Sequence, residues 1–548
     1  MLNKKIVYIA LLICFFISCS SCALAKDAKE IIYPTPKEVF VKGGIVEIDT
    51  GWSIVCSSNS QECNALIGTF VDKLNLKYGI NLNKTAYIPT YSKEIVICIN
   101  DYDYVEGILQ EEEISKEKLI NDEAYIIIIK KDSIYVVAAH LRGVHYACES
   151  LIQLFKNVKD KLSLPILNII DYPDNKIRAV HLCGANPLLI KEQLDEIAKL
   201  KYNTVIIDTW DYFNFENANK REIWEDIFDY ARSLYIEPIP ELQSFGAAGS
   251  ILVSNPQAAE GIWVKDAKFR FINDIAKPLN PDRAIMTNIL RNDETDIKII
   301  SLNKKTIYKE NIDYEVIDET MLYPFDENTK PFVIKRKKTG RIENNDIVLI
   351  SYDYVERKCD FADWSIPYCP SSQITYKIMD ETIYNVVEYL KPTYISIGHD
   401  EIRGMNRDSR CLRRNRTNAE LFAEDINRLY DITKKYNPDV NIIMWADMLN
   451  PWHNGGDENY QLQFGGIPGR TDIVSDMISN EIILILWHPS RDNLIKAPEY
   501  FKSKGFSYWA DNIKWLNVDI KPHGVIITTW KGWQKDYPKI KKAADNLW

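Results

Sequence analysis

One pattern in the last two-thirds of this 548-residue chain constrains its fold most strongly. From about residue 177 onward, short apolar runs recur, with helical patterns such as PLLIKEQLDEIAKLK and NAELFAEDINRLYDITKKY between several of them. The runs read, in order, IRAVHLCG, NTVIIDTW, YIEPIPEL, TYISIGHDE, VNIIMWADM, EIILILWH, FSYWAD and HGVIITTWKG. Eight strands that alternate with helices are typical of an α/β protein with a (β/α)8 barrel, which we predict for residues 172–548. A doubly wound open sheet is the alternative.

Two further segments stand apart from this alternation. Residues 26–171 combine a hairpin pattern, EAYIIIIKKDSIYVVAA, with a helical one, LRGVHYACESLIQLFK, and we expect an α+β domain ahead of the barrel. About 150 residues separate the third predicted barrel strand from the fourth, which is far more than a connecting loop needs. Its centre has strand-like patterns and turn signals, so we expect a β-rich insertion at about 283–357.

The first 25 residues resemble an export signal. Lys4 and Lys5 precede an apolar run at 6–17, and an A-x-A site follows at 23–25. The alternative is a lipid anchor on Cys19 or Cys22. We therefore expect a secreted or periplasmic protein, with a lipid-anchored cell-surface protein as the alternative. No later stretch is apolar enough to predict a membrane span.

Charge and cysteine spacing narrow the choice of partners. The formal charge of −10 includes no long basic run, which argues against nucleic acid as a partner. The mature chain has neither a Gly-rich phosphate loop nor a CxxC pair, so we predict no cofactor and no metal. The pairs Cys56 with Cys63 and Cys359 with Cys369 are spaced for local disulfides, and isolated buried thiols are an equal alternative.

The expected carboxyl ends of the barrel strands carry acidic and aromatic residues. They are His181, Asp208, Trp210, Glu241, His399, Asp400, Glu401, Trp445, Asp447, Trp487, His488, Tyr508, Trp509 and Trp530. Functional residues of (β/α)8 barrels gather at this end. Indole faces stack on the apolar faces of a pyranose, while carboxylates bind hydroxyls and transfer protons. The pattern therefore predicts a carbohydrate site, and we expect an oligosaccharide or glycoconjugate as the partner.

Several of these motifs resemble those of glycoside hydrolase family 20, the β-N-acetylhexosaminidases. The resemblance covers most of the chain: YPTPKEVFVKGG and LRGVHYACESLIQLF are similar to the start and end of the family's N-terminal domain. SIGHDE aligns with the family's H-x-G-G-D-E, and PELQSFGAAG aligns loosely with its P-E-I-D-x-P-G-H.

This resemblance implies substrate-assisted, retaining removal of a terminal β-linked N-acetylhexosamine. Glu401 would be the general acid and base, and Asp400 would orient the 2-acetamido group. A neighbouring carboxylate should raise the pKa of Glu401 toward that of a useful acid. By position or by resemblance, six further residues are expected to bind substrate: Arg178, His399, Trp445, Asp447, Trp487 and Trp530.

The chain also departs from the family's motifs. Ser396 stands at the motif's His and His399 at its second Gly, while Gly532 replaces the Glu of a W-x-E motif after strand eight. These departures suggest a divergent member. They leave open a carbohydrate-binding protein that has lost turnover, and a metallohydrolase that uses His399, Asp400 and a histidine such as His488.

Overall fold

The structure is a computed structural model that describes most of the chain after residue 28. The described residues are 29–84, 93–103, 105–158, 161–317, 321, 323, 325, 331–356, 365–456 and 469–548. The predicted signal peptide, including Cys19 and Cys22, lies outside them, and so does Cys359. Within this part of the chain, none of the helices has both the length and the apolarity to cross a membrane.

The N-terminal domain is an eight-stranded mixed sheet with helices packed on it. Its strands are β1 Glu38–Ile48, β2 Ser53–Cys56, β3 Asn83–Lys84, β4 Glu94–Ile99, β5 Tyr125–Ile129, β6 Ser133–Ala138, β7 Lys156–Val158 and β8 Lys161–Asp171. Its helices are α1 Gln61–Tyr78, α2 Glu106–Glu111 and α3 Leu141–Leu154. The main path runs β1-β8-β5-β6-β4-β2-β3, and β7 pairs with β8. Both central strands β5 and β6 are buried along their whole length, because α1 and α3 cover one face and α2 with its flanking loops covers the other.

The second part of the chain closes into a parallel barrel, which confirms the predicted fold class. Its strands are β9 Ile177–Leu182, β10 Thr204–Asp208, β11 Glu237–Glu241, β20 Tyr394–Ser396, β21 Asn441–Trp445, β22 Ile483–Leu486, β23 Tyr508–Asp511 and β24 Gly524–Thr528. They pair in chain order, and β24 returns to β9. The open sheet is therefore excluded. The register sets Asp208 beside Glu241, and Glu241 beside Ser396, at the carboxyl ends of three neighbouring strands.

Helices surround the barrel unevenly. They are α4 Ile190–Lys199, α5 Ala218–Ser233, α6 Gly249–Leu252, α7 Gln373–Asn385, α8 Ser409–Leu412, α9 Asn418–Tyr436, α10 Arg491–Ser503 and α11 Trp533–Leu547. Five residues of π-helix, Val386–Leu390, extend α7. In the described residues, short 3-10 turns stand where α-helices would follow β21 and β23. The described residues thus form all eight strands, with only 3-10 turns after β21 and β23.

A second β-sheet is inserted between β11 and β20. Its strands are β12 Ile262–Ile272, β13 Ile275–Pro278, β14 Ile289–Leu290, β15 Lys298–Ser301, β16 Ile307–Tyr308, β17 Tyr314–Ile317, β18 Val333–Arg336 and β19 Ile347–Tyr354. The order is β16-β15-β19-β12-β13-β18-β17. The predicted start near residue 283 is wrong, because β12 and β13 form a hairpin within this sheet. Their tight turn uses two left-handed residues, Asn273 and Asp274, as two-residue hairpin connections do.

Candidate active site

The fourth barrel strand ends abruptly, and that ending sets the geometry of the candidate site. Regular strand stops at Ser396, after which Gly398, His399 and Glu401 have φ values of 68°, 72° and 47°. A strand would send Asp400 and Glu401 to opposite faces. The left-handed residues break that alternation. They also bring the backbone close to the loop after β11, where a side-chain carbon on Gly246 would clash with the Asp400 carbonyl.

His399 does not line the site, which corrects its prediction as a substrate-binding residue. Its ring is fully buried and lies against Phe245 and Phe422. Nδ1 lies 2.8 Å from the Ile397 carbonyl oxygen, and Nε2 lies 2.8 Å from Oδ2 of Asp425 on α9. Histidine is one of the few residues besides glycine that tolerate positive φ. The side chain at the family's glycine position therefore turns away from the barrel mouth and anchors the turn to a neighbouring helix.

The Asp425 carboxylate behind this turn accepts further hydrogen bonds. Tyr368 donates to Oδ2 at 2.8 Å, and Tyr376 donates to Oδ1 at 2.7 Å. Asp425 is itself fully buried. Because both ring nitrogens of His399 are occupied here, a metal set of His399, Asp400 and His488 is not assembled. The structure gives no support to the metallohydrolase alternative at this position.

Asp400 and Glu401 both have raised pKa values. Burial raises the pKa of Asp400 well above its usual range, and the carboxylates of Asp447, Glu401 and Glu241 raise it further. Burial also raises the pKa of Glu401, and Asp447 adds to this, while the Arg403 guanidinium opposes it. A carboxyl group that keeps its proton toward neutral pH can act as a general acid.

Arg403 and Asp447 hold Glu401 from two sides. Nη2 of Arg403 lies 2.7 Å from Oε2 of Glu401, and both side chains are only slightly exposed. The backbone N–H of Glu401 donates to Oδ2 of Asp447 at 3.0 Å, and the Asn454 amide donates to the same oxygen at 2.8 Å. Asp447, predicted to bind substrate, is 1 % exposed. In this structure it positions the turn that carries Glu401.

A buried cluster around Glu241 forms the floor beneath this turn. The carboxylate accepts from Ser396 at 2.8 Å and from the Trp445 indole at 3.3 Å, and His181 Nε2 lies 3.4 Å away. Burial opposes ionisation of Glu241, but His181 and the hydrogen bonds outweigh it and lower its pKa. Ser396, which replaces the family's histidine, therefore has a defined partner on the adjacent strand.

Asp208, on the second strand, completes the acidic floor. Its Oδ2 accepts from the Gln243 amide at 2.7 Å and from the Gly184 backbone N–H at 3.3 Å. The Trp210 indole in turn donates to the Gln243 carbonyl at 2.7 Å. Burial and the charge of Glu241 raise the pKa of Asp208 to about 7. Its Oδ1 has no hydrogen-bond partner in the structure, which leaves an acceptor for a ligand hydroxyl.

The predicted tryptophans differ in accessibility. Trp530 is 54 % exposed and lies 5.8 Å from Trp445 and 5.3 Å from His181, measured between ring centroids. Trp445 is 1 % exposed and contacts Trp530 and Glu241, and its direct contact with a sugar stays a prediction. Trp487 is partly buried against His453, with ring centroids 4.4 Å apart.

Arg178 lies at the opposite end of the barrel, so its prediction as a sugar-binding residue is also wrong. It is the second residue of β9, at the amino end of that strand, and is 1 % exposed. Its guanidinium binds Glu123 of the N-terminal domain at 2.8 and 3.1 Å and the Lys201 carbonyl at 2.9 Å. The centre of the guanidinium is 4.9 Å from the Trp548 ring. The residue joins two domains.

Three contributors were absent from the predicted site: Arg403, Gln243 and Asn454. Arg403 stands two residues after Glu401. This spacing indicates an ion pair between the two side chains only once the turn at Gly398 is known. Gln243 follows Glu241 by the same spacing and occupies the place of the Asp in the family's P-E-I-D motif. Asn454 lies in a loop after β21 and carries no sequence signal. Polar residues near a strand end become site residues through loop geometry, which periodicity does not encode.

The cysteines that the structure describes are thiols. They include Cys56, Cys63 and Cys369, for which the sequence left a local disulfide or isolated thiols open. The Sγ of Cys369 lies 3.5 Å from that of Cys411 on α8, a partner that sequence spacing did not suggest.

Comparisons with known proteins match one domain of this chain to a family model and its fold to solved structures. A family model described as glycosyl hydrolase family 20, domain 2, matches residues 29–172. No curated protein matches the chain. Among solved structures, the exo-β-N-acetylglucosaminidase of Vibrio harveyi in complex with N-acetylglucosamine is similar, with a TM-score of 0.59 and 12 % identity over 95 % of this chain and 74 % of that one.

Two further solved structures share the fold. The β-N-acetylhexosaminidase of Bacteroides fragilis has a TM-score of 0.56 and 14 % identity, covering 94 % of this chain and 90 % of that one. The chitobiase of Flavobacterium johnsoniae has a TM-score of 0.55 and 16 % identity, covering 94 % and 69 %. The N-terminal domain of this chain thus matches the model of glycosyl hydrolase family 20, domain 2, and the whole chain shares its fold with β-N-acetylhexosaminidases.

Proposed function

We propose that the protein is an exported glycosidase that removes terminal β-linked N-acetylhexosamine, GlcNAc or GalNAc, from oligosaccharides or glycoconjugates. The observation that carries this proposal is the Asp400–Glu401 pair. Both carboxyl groups have raised pKa values at the carboxyl end of a barrel strand, in a family 20 fold. The Vibrio harveyi relative was solved with N-acetylglucosamine, and a Streptomyces plicatus hexosaminidase with Thio-NAglucal, which supports an amino-sugar ligand.

In the proposed reaction the substrate supplies the nucleophile. The carbonyl oxygen of its 2-acetamido group attacks C1 while the bond to the leaving oxygen breaks, and Glu401 gives that oxygen a proton. Asp400 orients the acetamido N–H and stabilises the positive charge that develops on the oxazolinium ring. Water then attacks C1 as Glu401 takes back a proton, and the sugar leaves with its anomeric configuration retained.

The surrounding residues fit these roles. Arg403 must release Glu401 before the acid can reach a leaving group, because the present ion pair occupies Oε2. Trp530, half-exposed above the acidic floor, offers an indole face to a pyranose. The buried Oδ1 of Asp208, which has no hydrogen-bond partner in the structure, suits a sugar hydroxyl that reaches the floor.

Hydrolysis of aryl N-acetyl-β-glucosaminide and galactosaminide tests the proposal. We expect turnover of at least one of them and none of the matching aryl β-glucoside, whose 2-hydroxyl cannot act as the nucleophile. Asp400→Asn and Glu401→Gln should each lose activity while still binding the sugar. Binding without turnover by the wild type would instead assign a carbohydrate-binding protein, and failure of both would overturn the proposal.

Export is proposed from the sequence alone. Export is tested by measuring the mass of the N-terminal peptide of the protein after expression in a host with a secretion pathway. Cleavage after Ala25 supports export by a signal peptide, and a lipid-modified Cys19 or Cys22 supports the anchored alternative. An intact N-terminus in the cytoplasmic fraction contradicts both.

A further inference from the structure

Four buried side chains outside the candidate active site bring potential metal-ligand atoms together. They are Glu260, Cys369, Asp408 and Cys411, and one ligand atom from each lies within 4.8 Å of the others. All four residues are buried. In the described part of the chain this is the one cluster of three or more His, Cys, Asp or Glu residues with such spacing.

The spacing matches the edges of a zinc tetrahedron. Metal–ligand lengths of about 2.3 Å for thiolate and about 2.0 Å for carboxylate give edges of about 3.8 Å between two sulfurs and about 3.5 Å between sulfur and oxygen. The Cys369 and Cys411 sulfurs are 3.5 Å apart, and the Cys411 sulfur is 3.5 Å from Oε2 of Glu260. Two of the edges therefore match those of a zinc tetrahedron, and the ligand atom of Asp408 lies within 4.8 Å of the other three.

The charges of the cluster favour a cation. Two carboxylates, Glu260 and Asp408, are buried here beside the guanidinium of Arg410, which binds Asp408 Oδ2 at 2.5 and 2.9 Å. The same guanidinium is shared with Glu294, 3.8 Å away. One arginine does not balance the carboxylates and two thiols that would ionise on metal binding. A divalent ion would supply the missing positive charge.

The second layer of contacts orients the ligand atoms. Oε1 of Glu260 accepts from the Arg407 backbone N–H at 2.7 Å, which turns Oε2 toward the cysteines. Ser371 contacts both sulfurs, through its N–H to Cys369 at 3.4 Å and through its hydroxyl to Cys411 at 3.1 Å. Hydrogen bonds of this kind fix ligand orientation in metal sites.

We propose that Glu260, Cys369, Asp408 and Cys411 form a structural zinc site. Two thiolates with two carboxylates suit Zn²⁺ better than Ca²⁺ or Mg²⁺, which prefer oxygen alone. The ion would join the segment before β12, the loop before α7 and the segment that follows Glu401. This assignment is independent of the proposed hydrolysis, and either can fail without the other.

Elemental analysis of the full chain, expressed with added zinc and dialysed into metal-free buffer, tests the site. We expect one zinc per chain in the wild type. Replacement with Co²⁺ should give the intense near-ultraviolet absorption of cobalt bound to thiolate. Removing the zinc with a strong chelator should lower the melting temperature and free two more thiols for reaction with a thiol reagent.

Matched cysteine variants separate this site from adventitious binding. Cys411→Ser and Glu260→Gln should each lose the zinc and the cobalt band. Glu260→Gln keeps both thiols, so it still tests the site if Cys411→Ser folds poorly. Cys63→Ser, in the N-terminal domain, should keep one zinc per chain. A wild-type protein that binds neither Zn²⁺ nor Co²⁺, or one isolated with a Cys369–Cys411 disulfide, overturns the proposal.

Discussion

The two ends of the barrel differ in how their buried carboxylates are matched by cations. At the amino end, each buried cation has its own carboxylate: Arg178 binds Glu123 at 2.8 Å, and Lys201 binds Asp171 at 2.7 Å. Trp548 lies against both cations, 4.9 and 4.4 Å from its ring. This arrangement ties the N-terminal domain to the barrel.

At the carboxyl end, acidic groups outnumber the cations beside them. Asp208, Glu241, Asp400, Glu401, Asp447 and Asp511 gather there, with His181 beside Glu241 and Arg403 beside Glu401. Burial raises the pKa of five of the six. Paired charges at one end stabilise the fold, while crowded acids at the other keep protons available for chemistry.

The largest expected effect comes from breaking the balance at the amino end. Arg178→Ala removes the closest cation from the buried Glu123 carboxylate, leaving Arg142 at 3.9 Å, and should lower the free energy of unfolding by about 3–5 kcal/mol. Urea unfolding measures this. The double variant with Glu123→Gln should recover part of the loss, and Lys191→Ala, in an exposed pair, should cost about 1 kcal/mol or less. A loss of sugar affinity at unchanged stability would return Arg178 to a substrate-binding role.

The same kind of change at the carboxyl end should act on turnover. Asp400→Asn should lower kcat by about 10²–10³, because the developing positive charge loses its carboxylate. The Asp400→Asn variant should also be more stable to unfolding than the wild type at neutral pH. The pKa of Asp400 is raised in the folded state, so folding loses stability as pH rises above the unfolded value of about 3.9, and Asn does not titrate.

Urea unfolding of wild type and Asp400→Asn from pH 4 to pH 8 checks the sign. The stability gain of the variant should increase with pH. A variant less stable than the wild type at neutral pH would show that Asp400 is a structural carboxylate like Glu123.

Neighbouring charges should move the alkaline limb of kcat/KM in opposite directions. Glu401 must be protonated to act as the acid, so the rate falls as pH rises through its pKa. Arg403→Gln removes a cation that opposes the rise in this pKa, and the limb should move to higher pH. Asp447→Asn removes a carboxylate that raises it, and the limb should move to lower pH. Shifts of the same sign in both variants would contradict this electrostatic assignment.

The smallest expected effect is on sugar stacking. Trp530→Ala should raise KM by roughly 2–10-fold, the equivalent of about 0.5–1.5 kcal/mol of aromatic contact. Trp548→Phe, at the amino end, should change stability and leave KM unaltered. Equal KM values in the wild type and Trp530→Ala would remove Trp530 from the site.

The sequence predicted the architecture because that depends on periodicity. Eight apolar runs that alternate with helical patterns predicted the barrel, and EAYIIIIKKDSIYVVAA predicted the hairpin that β5 and β6 form. The start of the insertion was missed although KFRF alternates before the turn at Asn273 and Asp274, because that hairpin was not separated from the loop after β11.

The side chains were harder to place, since a motif gives the position of a residue along the chain and not its direction. His399 and Arg178 are the clearest cases. A left-handed φ turns the His399 side chain toward Asp425. Arg178 lies at the amino end of its strand, where the N-terminal domain supplies Glu123. Neither partner is near in sequence, so no local pattern could predict either contact.

The assignment of Glu401 as general acid is tested most directly by leaving-group dependence. Wild type and Glu401→Gln would be compared on phenyl and 2,4-dinitrophenyl N-acetyl-β-glucosaminides, the second of which departs without help from a proton. We expect Glu401→Gln to lose about 10²–10⁴ in kcat/KM on the phenyl substrate and far less on the dinitrophenyl one. Equal losses on both substrates, or no loss on either, would contradict the role of this carboxyl group.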